Sequence, residues 1–138
     1  MVTKVVAKAI LQAPDGNILL LRRSATDTRR PLEWDLPGGN VEDEEDYHAA
    51  CVREIDEETG IIMDSKELHL AYTTTEYFEE HGNVCWLFFV AQTDKTEIAL
   101  SAEHDQSMWV SLDEAIKAIE YPRQKVALQH IQRAKLLH

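Results

Sequence analysis

Apolar runs separated by turn-forming residues divide the first forty positions. Residues 2–12, VTKVVAKAILQ, and residues 17–23, NILLLRR, are rich in β-branched and aliphatic side chains, and the intervening APDG is typical of a turn. This pattern predicts two strands in a hairpin-like arrangement. Residues 24–33 are polar, include a proline and predict a loop, whereas WDLPGG at 34–39 is apolar only briefly before its Pro-Gly-Gly break.

The middle of the chain contains two further strand-like segments. Residues 67–80, ELHLAYTTTEYFEE, are rich in threonine and aromatic residues, and HGN then turns the chain into VCWLFFVAQ. Every position from Val84 to Ala91 is apolar, which is typical of a strand buried on both faces. The segment SMWV at 107–110 predicts one more short strand.

Helical periodicity appears in three places. A helix is predicted from about Glu44 to Thr59, and Gly60 is placed to terminate it. Ser111 and Glu114 have the spacing of a capping box at the start of a second helix, and Pro122 lies near the first turn of a third. Strands interleaved with one central and two terminal helices predict an α/β domain in which helices cover a mixed sheet.

Composition agrees with one folded domain over residues 1–138. Hydrophobic residues make up 44% of the 138 positions and charged residues 28%, which is enough apolar material for a core. No segment resembles a secretion signal or a membrane span. Cys51 and Cys85 are far apart and form no CxxC pair, so reduced thiols and a cytoplasmic location are expected.

The negative charge of the protein is concentrated in one segment. The formal net charge is −11, which argues against general nucleic-acid binding through a basic surface. Nine acidic residues and a single cation, Arg53, lie between Glu42 and Glu58. Those that precede or open the helix have a simple interpretation as solvated charges favoured by the helix dipole; these are Glu42, Asp43, Glu44 and Asp46.

Three acids within the helix need a different explanation. Glu54, Glu57 and Glu58 stand at i, i+3 and i+4, so their carboxylates converge on one patch, away from the apolar stripe that includes Cys51 and Ile55. Like charges at this spacing repel each other. A divalent cation such as Mg²⁺, or Mn²⁺ in its place, would convert that repulsion into binding energy, because both ions accept carboxylate oxygens.

The spacing of the segment resembles a known signature. Gly39, Glu45, the Arg53-Glu54-Ile55 triplet, the Glu57-Glu58 pair and Gly60-Ile61 match every fixed position of GX5EX7REUXEEXGU, where U is a bulky aliphatic residue. This is the box of the Nudix hydrolases. The resemblance implies an α/β/α sandwich with a mixed sheet and a catalytic loop–helix–loop. It also implies metal-assisted hydrolysis of a nucleoside diphosphate linked to another moiety.

Site residues follow from the resemblance, position by position. The implied metal ligands are the carbonyl oxygen of Gly38 and the carboxylates of Glu54, Glu57 and Glu58. Glu54 and Glu57 are also expected to act in catalysis. Arg53 is expected to orient a glutamate of the box, and Glu45 is expected to be a supporting acid. Glu103 is the candidate general base, with Asp105 as second choice, whereas the neighbouring His104 is interpreted as a surface residue.

Substrate contacts are less strongly indicated. Arg23 is the preferred phosphate contact among the four arginines at 22, 23, 29 and 30, and Tyr77 is a candidate for stacking on a base. Trp86 and Trp109 are interpreted as core residues. The expected substrate is a nucleoside triphosphate, including oxidised ones, or alternatively a dinucleoside polyphosphate.

Two other functions share the scaffold. One is a non-catalytic nucleotide sensor, which would usually have lost acids of the box or gained a second domain. The other is isopentenyl diphosphate isomerase, which needs a cysteine on the pocket side, whereas Cys51 lies on the apolar stripe of the helix. A homodimer is common in the family, and the sequence leaves the oligomeric state open.

Overall fold

A computed structural model describes residues 3–138, and the apolar runs of the sequence become its strands. The strands are β1 (Lys4–Gln12), β2 (Ile18–Arg23), β3 (Trp34–Asp35), β4 (Gly38–Asn40), β5 (His69–Phe78), β6 (Gly82–Gln92) and β7 (His104–Val110). The helices are α1 (Tyr47–Thr59), α2 (Leu112–Ala118) and α3 (Pro122–Ala134), with a 3-10 helix at Ser65–Glu67. Within the described residues, no helix has both the length and the apolar character needed to cross a membrane.

Strands β1 and β6 form the centre of a seven-stranded mixed sheet. They pair in parallel along all of β1, and β5 pairs antiparallel with the other edge of β6. The predicted hairpin of β1 and β2 is present only next to its turn, where Gln12 lies opposite Ile18. Further from the turn, β1 pairs instead with β4, so that Lys8 lies opposite Gly38. This pairing fixes the Pro-Gly-Gly segment against the centre of the sheet.

Two hydrophobic cores lie on opposite faces of the sheet, and β6 contributes to both. Leu87 and Phe89 pack in the core that includes Cys51 and Ile55 of α1. Phe88 belongs to the other core, which includes residues of α2 and α3. The prediction that this strand is buried on both faces is therefore confirmed, and the expected α/β/α layering follows from it.

Helix α1 begins later than the sequence predicted. It starts at Tyr47, and Asp46 is the N-cap, whereas Glu44 has a left-handed φ of 64° in the preceding turn. The predicted end is confirmed, because Gly60 adopts the left-handed conformation with a φ of 78°. Most of the acidic residues before the helix therefore lie in an irregular segment rather than in its first turn.

Strand β7 begins earlier than predicted, and this changes the interpretation of one residue. His104 is the first residue of the strand and is only 6% exposed, so the expectation that it lies on the surface is wrong. The two terminal helices agree with prediction. Ser111 and Glu114 form the capping box of α2, and Pro122 occupies the first turn of α3.

Candidate active site

The three glutamates of the acidic patch on α1 differ in exposure. Glu58 lies one turn after Ile55 on the side of the helix that is buried against the sheet. The expectation that the whole patch lies away from the apolar stripe is therefore wrong at Glu58. Glu58 is 4% exposed, the side chain of Glu54 is 15% exposed and that of Glu57 is 56% exposed. The carboxylates therefore form a row that runs from the interior to the solvent, one helical turn in length.

The two glycines before α1 are required for different reasons. At Gly38, φ is 128° and an added Cβ would overlap the carbonyl oxygen of Ala7 and lie 2.7 Å from Cα of Lys8. At Gly39, an added Cβ would lie 2.7 Å from the carboxylate of Glu54. Gly38 thus allows β4 to pair closely with β1, whereas Gly39 leaves room for the carboxylate of Glu54 against the backbone.

Arg53 connects the acidic helix to the segment before it. Its Nε and Nη2 atoms donate to the two carboxylate oxygens of Glu45 at 2.8 and 3.0 Å, and its Nη1 donates to Glu54 at 3.0 Å. A further bond from Nη2 reaches the carbonyl oxygen of Asn40 at 3.1 Å. The hydrogen bonds from Arg53 lower the pKa of Glu45 to about 2. A planar guanidinium that bonds two carboxylates restricts both, so Arg53 fixes the position of Glu54.

The two less exposed carboxylates, those of Glu54 and Glu58, are destabilised in their ionised form by burial. Burial raises the pKa of Glu58 to about 8, although the charge of Lys8 and a 2.8 Å hydrogen bond from the backbone N–H of Gly38 act in the opposite direction. Burial also raises the pKa of Glu54, against the effect of Arg53. Ionised carboxylates at these positions are therefore costly unless a further cation binds beside them.

Glu103 and His104 reach the same region from the start of β7. One carboxylate oxygen of Glu103, one of Glu58 and one ring nitrogen of His104 all lie within 4.8 Å of one another. Glu103 is exposed, whereas burial of His104 lowers the pKa of its imidazole. The Nδ1 atom of His104 is buried and has no hydrogen-bond partner. Two carboxylates and an imidazole from distant parts of the chain therefore converge.

A cavity of about 750 Å³ opens beside this cluster. A buried ion pair forms part of its wall, because Nζ of Lys8 lies 3.2 Å from Oδ2 of Asp35. Lys8 also donates to the carbonyl oxygens of Leu36 and Gly38, both at 3.1 Å. Gln124 donates to the other oxygen of Asp35 at 2.6 Å. This network connects the carboxylate cluster to the rest of the cavity.

Another part of the cavity is aromatic. Its wall includes Phe78, Trp86 and Tyr121. Glu76 orients two of these rings, because it accepts a 3.2 Å hydrogen bond from Nε1 of Trp86 and a 2.8 Å bond from the hydroxyl of Tyr121. The guanidinium carbon of Arg30 lies 4.3 Å from the centre of the Tyr121 ring. An aromatic surface with a guanidinium beside it suits a nucleobase and its phosphates.

The family model of the NUDIX domain matches residues 2–131. The chain belongs to the Nudix family. Helix α1 and the segments on either side of it are the Nudix box, and the family's loop–helix–loop is formed by β4, α1 and the turn at Gly60. The identification of the family from the spacing of the box is therefore confirmed.

Two curated relatives cover most of the chain. The asymmetrical bis(5'-nucleosyl)-tetraphosphatase of Caenorhabditis elegans is 32% identical over 127 residues, covering 88% of this chain and 88% of its own. The CTP pyrophosphohydrolase of Escherichia coli K12 is 33% identical over 117 residues, covering 85% of this chain and 80% of its own. Among solved structures, a MutT protein from Methanosarcina mazei Go1 has a TM-score of 0.84 and 26% identity, covering 96% of this chain and 95% of its own. Like these relatives, this Nudix chain is a hydrolase of the pyrophosphohydrolase class.

Most of the residues that the Nudix resemblance indicated lie around one cavity. Its wall includes Gly38, Glu54, Glu58 and Glu103, and Arg53 lies behind Glu54. Glu57 immediately precedes Glu58 on the same helix, but its side chain is closer to solvent. The structure thus brings Gly38, Glu54, Glu58 and the candidate base Glu103 together around this cavity.

Three other predicted residues are placed less favourably. Tyr77 is 59% exposed, and strand alternation directs its neighbour Phe78 to the cavity instead. Arg23 does line the cavity, but it already donates to Asp27, to Asp35 and to a backbone carbonyl. Asp105, the second candidate for the base, forms two hydrogen bonds with Arg22.

Sequence reasoning missed Lys8, Asp35 and His104. Lys8 had a detectable signal, because a single charge within the apolar run VVAKAIL predicts a buried partner. Asp35 follows Trp34 just before the Pro-Gly-Gly break, and nothing in that short segment identifies its partners. His104 was missed because polar residues surround it in the sequence and the start of β7 was predicted too late.

Proposed function

We propose that this chain hydrolyses a pyrophosphate bond of a nucleotide in a reaction that depends on a divalent metal. The substrate class is a nucleoside triphosphate, oxidised ones included, and the metal is Mg²⁺, with Mn²⁺ as a substitute. One observation carries the proposal: the carboxylates of Glu54, Glu58 and Glu103 border the same cavity as an aromatic surface. A cytoplasmic location remains a prediction.

The residues around the cluster fit a divalent cation. Glu54, Glu57 and Glu58 supply carboxylate oxygens, and Gly38 supplies a carbonyl oxygen in the proposed ligand set. The absence of a side chain at Gly39 leaves room for the carboxylate of Glu54 against the backbone. Burial raises the pKa of Glu58, so a cation bound beside it would stabilise its ionised form. When bound, such ions neutralise negative charge on phosphate oxygens and make a nearby water more acidic.

Hydrolysis requires a base for the attacking water. The water oxygen forms a bond to phosphorus, the bridging P–O bond breaks toward the leaving phosphate, and the proton of the water passes to the base. We assign this role to Glu103, because its carboxylate is exposed, borders the cavity and lies within 4.8 Å of a Glu58 oxygen. Asp105 is less suited, since Arg22 already holds both of its oxygens.

The nucleobase and the phosphates of the substrate would contact different parts of the cavity. Phe78, Trp86 and Tyr121 provide the apolar surface on which a base can stack. Arg29 and Arg30 border the cavity, and Nη1 of Arg30 is buried without a hydrogen-bond partner. These two arginines replace Arg23 in our proposal for the phosphate contacts, because the donors of Arg23 are engaged in the wall.

A second candidate substrate class is favoured by one comparison. The Caenorhabditis elegans relative is named for hydrolysis of a dinucleoside tetraphosphate, and its similarity covers 88% of both chains. The cavity would then hold one nucleoside on its aromatic surface, with the polyphosphate along the glutamates. The sensor and isomerase functions receive less support, since every acid of the box is present and Cys51 is buried in a core.

A substrate panel tests the proposal. The protein is incubated with Mg²⁺ and canonical or oxidised nucleoside triphosphates, dinucleoside polyphosphates or nucleotide sugars, and the products are separated by ion exchange. Hydrolysis in H₂¹⁸O then shows which phosphorus receives the water oxygen. A nucleoside monophosphate with pyrophosphate from one triphosphate supports the proposal. Nucleotide binding without turnover of any compound would favour the sensor function.

Matched variants connect turnover to the cluster. We expect Glu103→Gln to lower kcat by about 10²–10⁴-fold, the usual contribution of a general base. Glu57→Gln should also lower metal-dependent turnover. Asp56→Asn is the control, because Asp56 is an exposed acid next to Glu57 on the same helix, whereas Glu57 is the one that accepts hydrogen bonds from Arg53 beside Glu54. Full metal-dependent activity in Glu57→Gln would contradict the proposal.

A further inference from the structure

His104 is a buried polar residue whose environment is incomplete. It is 6% exposed, and its Nδ1 atom is buried without a hydrogen-bond partner. Nearly all buried polar atoms in folded proteins are paired with protein, water or an ion. His104 also lines the open cavity, so a ligand that enters the cavity can reach its imidazole and complete this environment.

The geometry around His104 fits a metal ion. One of its ring nitrogens lies within 4.8 Å of an oxygen of Glu58 and an oxygen of Glu103. Ions bound by nitrogen and oxygen at about 2.0–2.2 Å hold their ligands at most about 4.4 Å apart. Glu103 is exposed, so its side chain can adjust to an ion, whereas Glu58 and His104 are held in the interior.

The charges around the imidazole also leave a place for a cation. Lys8 and Arg23, the nearest cations, are already paired with Asp35, and Arg23 is paired with Asp27 as well. Within residues 3–138, no salt bridge involves Glu58 or Glu103. The two carboxylates next to His104 thus lack a cation partner of their own.

We propose that His104 is a nitrogen ligand of a divalent ion held between Glu58 and Glu103, and that this position selects Mn²⁺ over Mg²⁺. Mg²⁺ prefers a shell of oxygen ligands and water, whereas Mn²⁺, a first-row transition ion, accepts carboxylate oxygens and also an imidazole nitrogen. The inference rests on the proposed metal centre and adds to it a second kind of position. The glutamate row of α1 offers oxygen alone, and the position at β7 offers oxygen with nitrogen.

Electron paramagnetic resonance of bound Mn²⁺ tests this assignment without measuring turnover. Mn²⁺ is titrated into nucleotide-free protein, the free ion is quantified, and pulsed spectra are examined for ¹⁴N coupling from imidazole. We expect coupling in the wild-type protein, and its replacement by a ¹⁵N pattern when histidine is ¹⁵N-labelled. Bound Mn²⁺ without nitrogen coupling in the wild-type protein would overturn the inference, and this result does not depend on the folding of any variant.

Two variants locate the coupling. In His104→Gln, the ¹⁴N coupling should vanish and the affinity for Mn²⁺ should fall about tenfold or more, whereas the affinity for Mg²⁺ measured by competition should change much less. His81→Gln is the control, because His81 is an exposed histidine that borders the same cavity, and its replacement should leave the coupling intact. Coupling that persists in His104→Gln would contradict the assignment.

Failure of the inference differs from failure of the proposed function. If the protein hydrolyses nucleotides with Mg²⁺ but shows no nitrogen coupling to Mn²⁺, only the assignment of His104 as a metal ligand is contradicted. The proposed metal centre would be wrong if the wild-type protein bound neither ion, or if Glu54→Gln bound both ions as tightly as the wild-type protein does. The assignment of His104 as a ligand would then be wrong as well.

Discussion

The backbone N–H of Gly38 donates a 2.8 Å hydrogen bond to the carboxylate of Glu58. This bond joins β4 to the last turn of α1, twenty positions along the chain, and closes the loop and helix of the Nudix box into one unit. Lys8 bonds the carbonyl oxygen of Gly38 from the neighbouring strand. The geometry of the acidic cluster therefore depends on the backbone before the helix as much as on the helix itself.

Alanine at the two glycines should separate folding from metal binding. In Gly39→Ala, the new methyl group would meet the side-chain carboxylate of Glu54 rather than the backbone, so we expect weaker binding of Mg²⁺ or Mn²⁺ and lower turnover with little change in Tm. In Gly38→Ala, it would meet the backbone of β1 at a left-handed φ, so we expect a loss of about 1–3 kcal/mol of stability. Calorimetry of unfolding and of metal binding distinguishes the two. Equal loss of Tm in both variants would contradict this explanation.

Replacement of Arg53 tests its role in positioning. Lysine keeps the charge but cannot bond both oxygens of Glu45 and also reach Glu54 in the same plane. We expect Arg53→Lys to lower kcat by about 10–100-fold with a small change in KM. Arg22→Lys is the control, since Arg22 makes a similar two-bond contact with Asp105 outside the cavity. Steady-state kinetics should show nearly unchanged kcat and KM for Arg22→Lys.

Neighbouring aromatic residues on β5 test where the base binds. Phe78 borders the cavity and Tyr77 points to the other side of the strand. We expect Phe78→Ala to raise KM by roughly tenfold, in line with the loss of one contact between a base and an aromatic ring. Tyr77→Ala should leave KM unchanged. The reverse result would restore Tyr77 as the stacking residue.

The buried ion pair should matter for stability more than a similar pair on the surface. Asp35→Asn removes the carboxylate that pairs directly with the buried ammonium group of Lys8, and such a change typically costs about 3–5 kcal/mol. Asp105→Asn breaks the exposed pair with Arg22 and should have little effect. Urea unfolding of both variants provides the measurement. A small effect of Asp35→Asn would show that Lys8 finds another partner.

The raised pKa of Glu58 predicts how stability depends on pH. Its folded pKa of about 8 lies above the usual value of 4.5, so the folded protein retains this proton over a range where the unfolded chain releases it. The contribution to stability is complete below about pH 4.5 and is lost as the pH rises through 8. In EDTA, the free energy of unfolding of the wild-type protein should therefore fall across this range relative to Glu58→Gln. A divalent ion should reverse the fall, since it binds the ionised form.

The features that could be predicted from the sequence were those determined by local chemistry. The turn at Gly60, the capping box at Ser111 and the apolar run of β6 were predicted because a few adjacent residues specify each of them. The box itself was identifiable because its acids occupy fixed positions on one helix. Tyr77 was chosen by its distance from the box along the chain, which does not show the side of the strand that it occupies.

Other features required the fold. Lys8 and Asp35 are 27 positions apart, and only the pairing of β1 beside the Pro-Gly-Gly segment brings them together. His104 approaches Glu58 because β7 pairs with β2, an arrangement that no local pattern specifies. Contacts of this kind depend on which strands become neighbours, and the sequence near each residue carries little information about that choice.

Phe88 and Phe89 are adjacent in the chain, yet each belongs to a different core. The cavity follows the same division: Glu54 and Glu58 come from the layer of α1, and Trp86 and Tyr121 pack in the layer of α2 and α3. A nucleotide held at both places would act as a cross-link between the two layers. The bound molecule would then resist the separation of the layers, and the whole domain would melt as a single unit.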